Sequence, residues 1–269
     1  MPGLDPRQLD RYSRHVIMDD VGPDGQTTLL DSSALVVGAG GLGSPVIQYL
    51  AAAGVGHLTI VDDDTVERSN LQRQVIHRDT DVGTPKVQSA ARYVTDLNPD
   101  VTVETHETRV DADTADGLVA DHDVVLDCSD NFPTRFLLND ACHLAETPLV
   151  HGAVYRFEGQ VLTITPESGP CYRCLFPEAP PPGTVPDCAE AGVLGAVPGI
   201  VGSIQATEAL KLMVDAGDVL VGRLLVVDAL GLEVETVAVA ADPDCPVCGT
   251  DASFSALGEV TYEDACTVE

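Results

Sequence analysis

Gly38, Gly40 and Gly43 stand at the G-x-G-x-x-G spacing directly after the apolar run Leu35-Val36-Val37, and Asp62 closes a second apolar run over residues 57–61. Bare glycine backbone lets a phosphate approach a helix whose first N–H groups are free, and a carboxylate closing the next strand can accept hydrogen bonds from ribose hydroxyls. Gly41 and Asp64 belong to the same two stretches. The pattern predicts an adenine-nucleotide site, and the residues that follow decide between hydride and phosphate chemistry. Residues 66–74 hold Asn70, Arg73 and Gln74, and Thr84-Pro85-Lys86 opens another helix with Thr84 as its cap and Pro85 in its first position. A guanidinium offers phosphate oxygens a planar fork and an ammonium a point charge. A triphosphate needs both, whereas hydride transfer needs neither.

A third candidate lies at Cys128-Ser129-Asp130-Asn131, after an expected strand over 123–127. Ligands of parallel sheets bind outside the carboxyl ends of the strands, so Asp130 and Asn131 fall on the rim that carries the glycines and Asp62. A carboxylate there can hold Mg²⁺ on phosphate oxygens. The alternative use of Asp130 is as a helix cap, which Asn131 could fill instead.

Four cysteines form two C-x₂-C pairs, Cys171 with Cys174 and Cys245 with Cys248. Four thiolates make a closed tetrahedral Zn²⁺ site, structural because no coordination position stays open. Disulfides are the alternative, disfavoured in a reducing compartment. Cys188 falls outside this count, on the proline-rich stretch 176–195, and is a candidate nucleophile or a packing residue. Cys128 and Cys142 are expected as small buried residues, and Cys266 has no visible partner.

The elements that must position these groups alternate in type. Strands are expected over 34–37, 57–61, 101–106 and 123–127, with helices after the glycines to about Gly54 and over 111–120 and 132–145. Such alternation gives a parallel sheet covered on both faces. From residue 149 the texture changes: strands over 150–154 and 160–165 flank a tight turn at 157–159, a helix covers 200–215, and strands near 224–227 and 232–239 complete the sheet. The expected fold is α/β, a Rossmann-like mixed sheet, parallel in its N-terminal half and antiparallel in its C-terminal half, with helices on both faces and a structural zinc site. Residues 1–250 are expected as one domain with a crossover loop at 176–195, and 251–269 as a tail. At the start, Asp5-Pro6 caps a helix carrying Arg7, Arg11, Arg14 and His15, with Leu9, Tyr12, Val16 and Ile17 on one face. Three arginines there suggest an anion, or else a solvated basic face.

Composition narrows the classes. The formal charge is −29, Lys86 and Lys211 are the only lysines, and 44% of residues are hydrophobic. That charge argues against nucleic-acid and anionic-membrane partners, and the apolar content fills a core. An aspartate-rich, lysine-poor surface stays hydrated in concentrated salt, which points to a halophile. The N-terminus lacks a basic and apolar leader and no apolar run spans a bilayer, so a cytoplasmic location is expected.

Taken together, these motifs resemble the MoeB/ThiF family of adenylating enzymes, bacterial and archaeal relatives of ubiquitin-activating enzymes. The resemblance covers about residues 9–248 and rests on the glycines, Asp62-x-Asp64, Asn70-Leu-Gln-Arg73-Gln74, Lys86, Asp130-Asn131 before Arg135, both cysteine pairs and Cys188. It implies ATP·Mg²⁺ and a ubiquitin-like or sulfur-carrier protein ending in Gly-Gly as substrates, with the terminal carboxylate joined to AMP. It assigns Asp62 and Asn70 to the nucleotide, Arg73 and Lys86 to the phosphates, and Asp130 to Mg²⁺ and adenylation. Arg14 would reach across a homodimer interface into the partner's site. Cys188 would then carry the acyl group as a thioester for protein conjugation, or assist sulfur transfer for molybdopterin or tRNA thiolation. Some relatives carry a sulfur-donating rhodanese domain, and the chain is expected to draw sulfur from outside. The rival readings are an NAD-dependent oxidoreductase and a catalytically silent scaffold subunit.

Overall fold

The computed structural model describes residues 3–166, 168–178 and 192–262. Eight strands form one sheet: β1 (Ser33–Val37), β2 (His57–Val61), β3 (Thr102–His106), β4 (Val124–Asp127), β5 (Leu149–Tyr155), β6 (Glu158–Ile164), β7 (Arg223–Asp228) and β8 (Glu233–Ala238). Their spatial order is β3-β2-β1-β4-β5-β6-β7-β8. Pairing is parallel from β3 through β5 and antiparallel from β5 through β8. The expected mixed sheet is therefore the observed one, and its strand order reverses between β1 and β4, the place where open α/β sheets take ligands.

Alternation along the strands builds two cores. Ala34 and Val36 of β1 face one side, with α4 (Gly43–Ala53), α5 (Lys86–Leu97) and α9 (Ala196–Val214). Leu35 and Val37 face the other, with α6 (Ala112–Ala120) and α7 (Phe132–Leu144). Each fully buried leucine, such as Leu50 or Leu138, contributes about 2 kcal/mol. The remaining α-helices among the described residues are α1 (Pro6–Arg11), α2 (Ser13–Val16), α3 (Gly22–Asp31) and the short α8 (Tyr172–Leu175). After β8 the chain returns to α7: Leu257 is buried and the Tyr262 hydroxyl donates to Asp140 Oδ2 at 2.7 Å. Among the described residues no helix is long and apolar enough to cross a membrane.

Several local expectations are corrected. The first helix breaks at Tyr12, whose buried hydroxyl receives Asn98 Nδ2 at 2.8 Å and donates to Asp100. Arg7 and Arg11 lie on α1 while Arg14 and His15 lie on α2, and Ile17 is 70% exposed rather than packed beneath them. Thr84 does not cap α5. The segment before that helix bridges residues 64–66, with Val66 N donating to Thr84 O and Lys86 N to Asp64 O, so helical geometry starts after Pro85. The β5–β6 turn comprises Arg156 and Phe157, since Tyr155 pairs with Glu158. α9 begins four residues earlier than expected, at Ala196, and runs through Gly199 and Gly202; at Gly202 the helix packs so closely that a Cβ would sit 2.5 Å from Leu42 O.

Candidate active site

The glycine loop runs from the end of β1 into α4. Gly38 takes a left-handed φ of +99°, and a Cβ there would lie 2.7 Å from the Cys128 carbonyl oxygen. A Cβ on Gly43 would collide with the Gly38 carbonyl oxygen, so Gly43 closes the turn and stays behind the cleft wall. Gly40 and Gly41 line an open cleft of about 480 Å³, together with Asp62, Asp64, Asn70, Arg73, Gln74, Lys86, Asp130 and Asn131. Eleven of the twelve expected nucleotide-site positions thus share one cleft, and Gly43 shapes its loop.

The β2 end carries the electrostatic centre. Asp62 accepts Ala39 N at 2.7 Å through Oδ2 and Asp64 N at 2.9 Å through Oδ1. Burial raises its pKa, and Lys86 opposes that rise. Lys86 Nζ sits 2.7 Å from Asp64 Oδ2 and 3.8 Å from Asp62 Oδ1. The 3₁₀ turn Arg68–Asn70 sets the next wall: Asn70 Oδ1 accepts Glu67 N, and Arg73, which lines the cleft, donates to the Ser69 carbonyl.

The opposite wall is the start of α7. Asn131 is the N-cap, its Oδ1 accepting Thr134 N at 3.0 Å. Asp130 is exposed and makes no hydrogen bond or ion pair among the described residues. The carboxylate that could have capped the helix is therefore left facing the cleft, a donor set suited to a hydrated divalent cation. Arg135, Arg109, Thr108 and Ser129 also line the cleft. The sequence reading missed them as site residues, although Arg135 follows Asp130 by little more than a helical turn and Arg109 lies just past β3. Two buried polar atoms of cleft-lining side chains, Gln74 Oε1 and Arg135 Nε, have no partner among the described residues. Buried polar atoms are ordinarily paired, so both fit a polar ligand in this cleft.

Beneath that wall, Asp127 is fully buried. Its Oδ1 accepts Ser129 N and Oγ at 3.0 and 2.6 Å, and its Oδ2 accepts His151 Nδ1 at 2.7 Å. Burial disfavours the Asp127 carboxylate, but its interaction with His151, the nearby Arg135 charge and the Ser129 hydrogen bond outweigh it and hold its pKa low; burial pulls the His151 pKa down. The pair fixes the backbone that leads to Asp130. Cys128 and Cys142 are buried, and burial pushes their thiols up, as expected of packing residues.

The four expected ligand cysteines converge across 74 residues of sequence. Their sulfurs all lie within 4.8 Å of one another, with Cys171–Cys174 at 4.0 Å, Cys171–Cys245 at 3.5 Å and Cys174–Cys248 at 3.3 Å. Tetrahedral Zn–S bonds require S···S spacings of about 3.8 Å, so the cluster could hold that ion. Burial, with neighbouring thiols adding to it, raises Cys171 and pushes Cys248 up to about 12, whereas backbone N–H groups pull Cys245 down against its burial. Four thiolates this close need a cation between them.

Arg14 is exposed on α2 and does not border the cleft. Arg11 donates to the Leu97 carbonyl and Arg7 pairs with Asp5, so neither gathers an anion with Arg14. The proline-rich run 180–186, Cys188 and Cys266 lie outside the described residues.

The chain is similar to known proteins. A family model described as "ThiF family" matches residues 12–247. The SAMP-activating enzyme E1 of Haloferax volcanii is 62% identical over 265 residues, covering 98% of the chain and 97% of that protein. The sulfur carrier protein adenylyltransferase of Thermus thermophilus is 50% identical, covering 96% and 97%. The adenylyltransferase and sulfurtransferase MOCS3 of Mus musculus is 46% identical, and the chain spans 59% of it. A crystal structure of E. coli MccB with MccA-N7isoASN superposes with a TM-score of 0.80 at 21% identity, covering 89% of the chain and 75% of that chain; this likeness is one of fold.

Proposed function

The chain belongs to the ThiF family, and from that premise we propose that it adenylates the C-terminal Gly-Gly carboxylate of a ubiquitin-like or sulfur-carrier protein. The carboxylate oxygen attacks the α-phosphorus of ATP, the bond to the bridging oxygen breaks, and pyrophosphate leaves with that electron pair. The observation that carries this reading is the company kept on one cleft: bare glycine backbone, Lys86, Arg73 and Arg135, opposite an Asp130 that has no partner among the described residues. Attack of an anion on a polyphosphate needs positioning and neutralisation rather than covalent help. The names of the relatives, a SAMP-activating enzyme and a sulfur carrier protein adenylyltransferase, support it. A hydride-transferring oxidoreductase would leave these cations unused.

In this reading Gly40 and Gly41 present backbone to phosphate at the head of α4, and Asp62 and Asn70 hold the ribose. Arg73 and Lys86 neutralise the phosphates, Lys86 exchanging its contact with Asp64 for phosphate oxygens, while Gln74 supports the loop. Asp130 holds Mg²⁺, which supplies further neutralisation of the phosphates when bound. The sulfurs of Cys171, Cys174, Cys245 and Cys248 hold Zn²⁺ and tie the segment after β8 to α8. The Cys188 thiolate then attacks the acyl carbonyl carbon, forming a thioester as AMP leaves, for protein conjugation, or Cys188 assists sulfur transfer from an external donor. The enzyme acts in a salt-rich cytoplasm as a homodimer in which Arg14 enters the partner's cleft. Ile17, Met18, Tyr49 and Ile200, all exposed, support a protein-covered face near α2. The edge strand β8, with Val234 64% exposed and Leu232 just before it 85% exposed, supports a docked protein substrate. Residues 1–250 act as one adenylation domain crossed by the 176–195 loop, with 251–269 as its tail.

Mass spectrometry tests the reading. Incubation with ATP, Mg²⁺ and a ubiquitin-like protein ending in Gly-Gly yields that protein heavier by one adenylyl group, and a protein lacking the terminal glycines yields none. Adenylylation of both, or of neither, would remove the proposal.

A further inference from the structure

His77 is buried, titratable and unassigned by the chemistry above, yet it touches all three phosphate-facing elements. Its Nε2 lies 2.9 Å from the Ala39 carbonyl oxygen, inside the glycine loop. Its Nδ1 lies 2.8 Å from Ser89 Oγ, one turn along α5 from Lys86. Its own backbone closes the segment that carries Asn70 and Arg73, with His77 N donating to Gln74 O and Gln74 N to Asn70 O. The other side of the Ala39 residue is held as well, because Ala39 N donates to Asp62. The loop residue between Gly38 and Gly40 is thus gripped by a carboxylate on its N–H and an imidazole on its carbonyl.

We infer that His77 is a positioning residue that locks the glycine loop, the Arg73 segment and the Lys86 helix into one register for the polyphosphate. The carbonyl oxygen of Ala39 only accepts, so Nε2 must carry a proton in every state of the ring. Burial favours the neutral ring. Its Nδ1 is then an acceptor, competing with Asp81 Oδ2 for the single proton of the Ser89 hydroxyl. Were the ring to gain a proton, Nδ1 would donate to Ser89, which would then donate to Asp81 Oδ2, 2.9 Å away and paired with Arg92. The bond to the loop survives both states, so the lock is independent of the second proton. The alignment matters because small displacements of phosphate-binding groups reduce transition-state and ligand stabilisation steeply.

The inference rests on the nucleotide part of the proposed function alone, so its test uses ATP without any protein substrate. Titration calorimetry in molar KCl would compare ATP·Mg²⁺ and adenosine binding by wild type, His77→Gln and His77→Asn, with thermal unfolding measured alongside. A glutamine amide reaches the Nε2 position and can still donate to Ala39, whereas an asparagine amide reaches only the Nδ1 position. His77→Asn is expected to weaken ATP binding about tenfold and to leave adenosine binding unchanged, with His77→Gln within about twofold of wild type for both ligands. Equal ATP affinity in all three proteins would overturn the inference. So would parallel losses of ATP affinity, adenosine affinity and melting temperature in both variants, which is the mark of a packing residue. Failure of the wild type to adenylylate any Gly-Gly protein would instead count against the proposed reaction and leave this comparison standing.

Discussion

Replacing Lys86 with methionine keeps the aliphatic stem and deletes the charge, and its effect on stability can be worked from the geometry. The Lys86 and Asp62 side chains are 8% and 9% exposed, with Nζ 3.8 Å from Asp62 Oδ1. At an effective dielectric constant of about 20, that contact amounts to about 4 kcal/mol. Relief of the lysine's own desolvation offsets about half, leaving a net loss of about 2 kcal/mol. Asp64 is 68% exposed, so its shorter contact adds little. The loss depends on pH with a definite sign. Burial raises the folded-state pKa of Asp62 above its unfolded value, and Lys86 limits the rise. Stability linked to a raised carboxyl is full below the unfolded pKa and is lost as pH rises through the folded pKa. Without Lys86 the folded pKa climbs further, so the variant loses more than wild type over that window. Urea unfolding at constant KCl should show a gap of about 2 kcal/mol near neutral pH that narrows to under about 1 kcal/mol near pH 4. A gap of equal size at both pH values would refute the claim that Asp62 is the group Lys86 neutralises.

Further outcomes follow from the other sites. Zinc analysis of the purified protein should give about one ion per chain, and Cys248→Ser should lose it together with several kcal/mol of stability. Retention of zinc by that variant would remove Cys248 from the ligand set. Cys188→Ser should leave adenylation at wild-type rate and abolish protein conjugates in cells, and unchanged conjugates would exclude the nucleophile role. Arg73→Ala should lower the adenylation rate by about 10²-fold with unfolding unchanged, as expected for a charge that meets the phosphates; a rate within a few-fold of wild type would exclude it from that role.

The parts of the site legible in sequence are those fixed by short-range chemistry. Gly38 and Gly43 announce a turn that only glycine can make, Asp62 follows from the length of one βα unit, and Asn131 displaced Asp130 from the cap within a single turn of helix. The two cysteine pairs announced each other by spacing. What escaped was set by distant partners. His77 means nothing until Ala39 is beside it, 38 residues away, and Asp127 reads as a strand end until His151 meets it across β4 and β5. Tyr12 broke an otherwise plausible helix because its hydroxyl is claimed by Asn98. Gly199 disguised the start of α9, whereas Gly202 further along it allows close packing against Leu42 and Pro45 at the head of α4.

Pyrophosphate exchange into ATP, measured in molar KCl with wild type and Asp130→Ala, tests most directly whether this cleft activates a protein carboxylate. Exchange should require a ubiquitin-like protein ending in Gly-Gly and should disappear in the variant. Exchange that persists in Asp130→Ala, or that fails in wild type with every such protein, would contradict that role of the cleft.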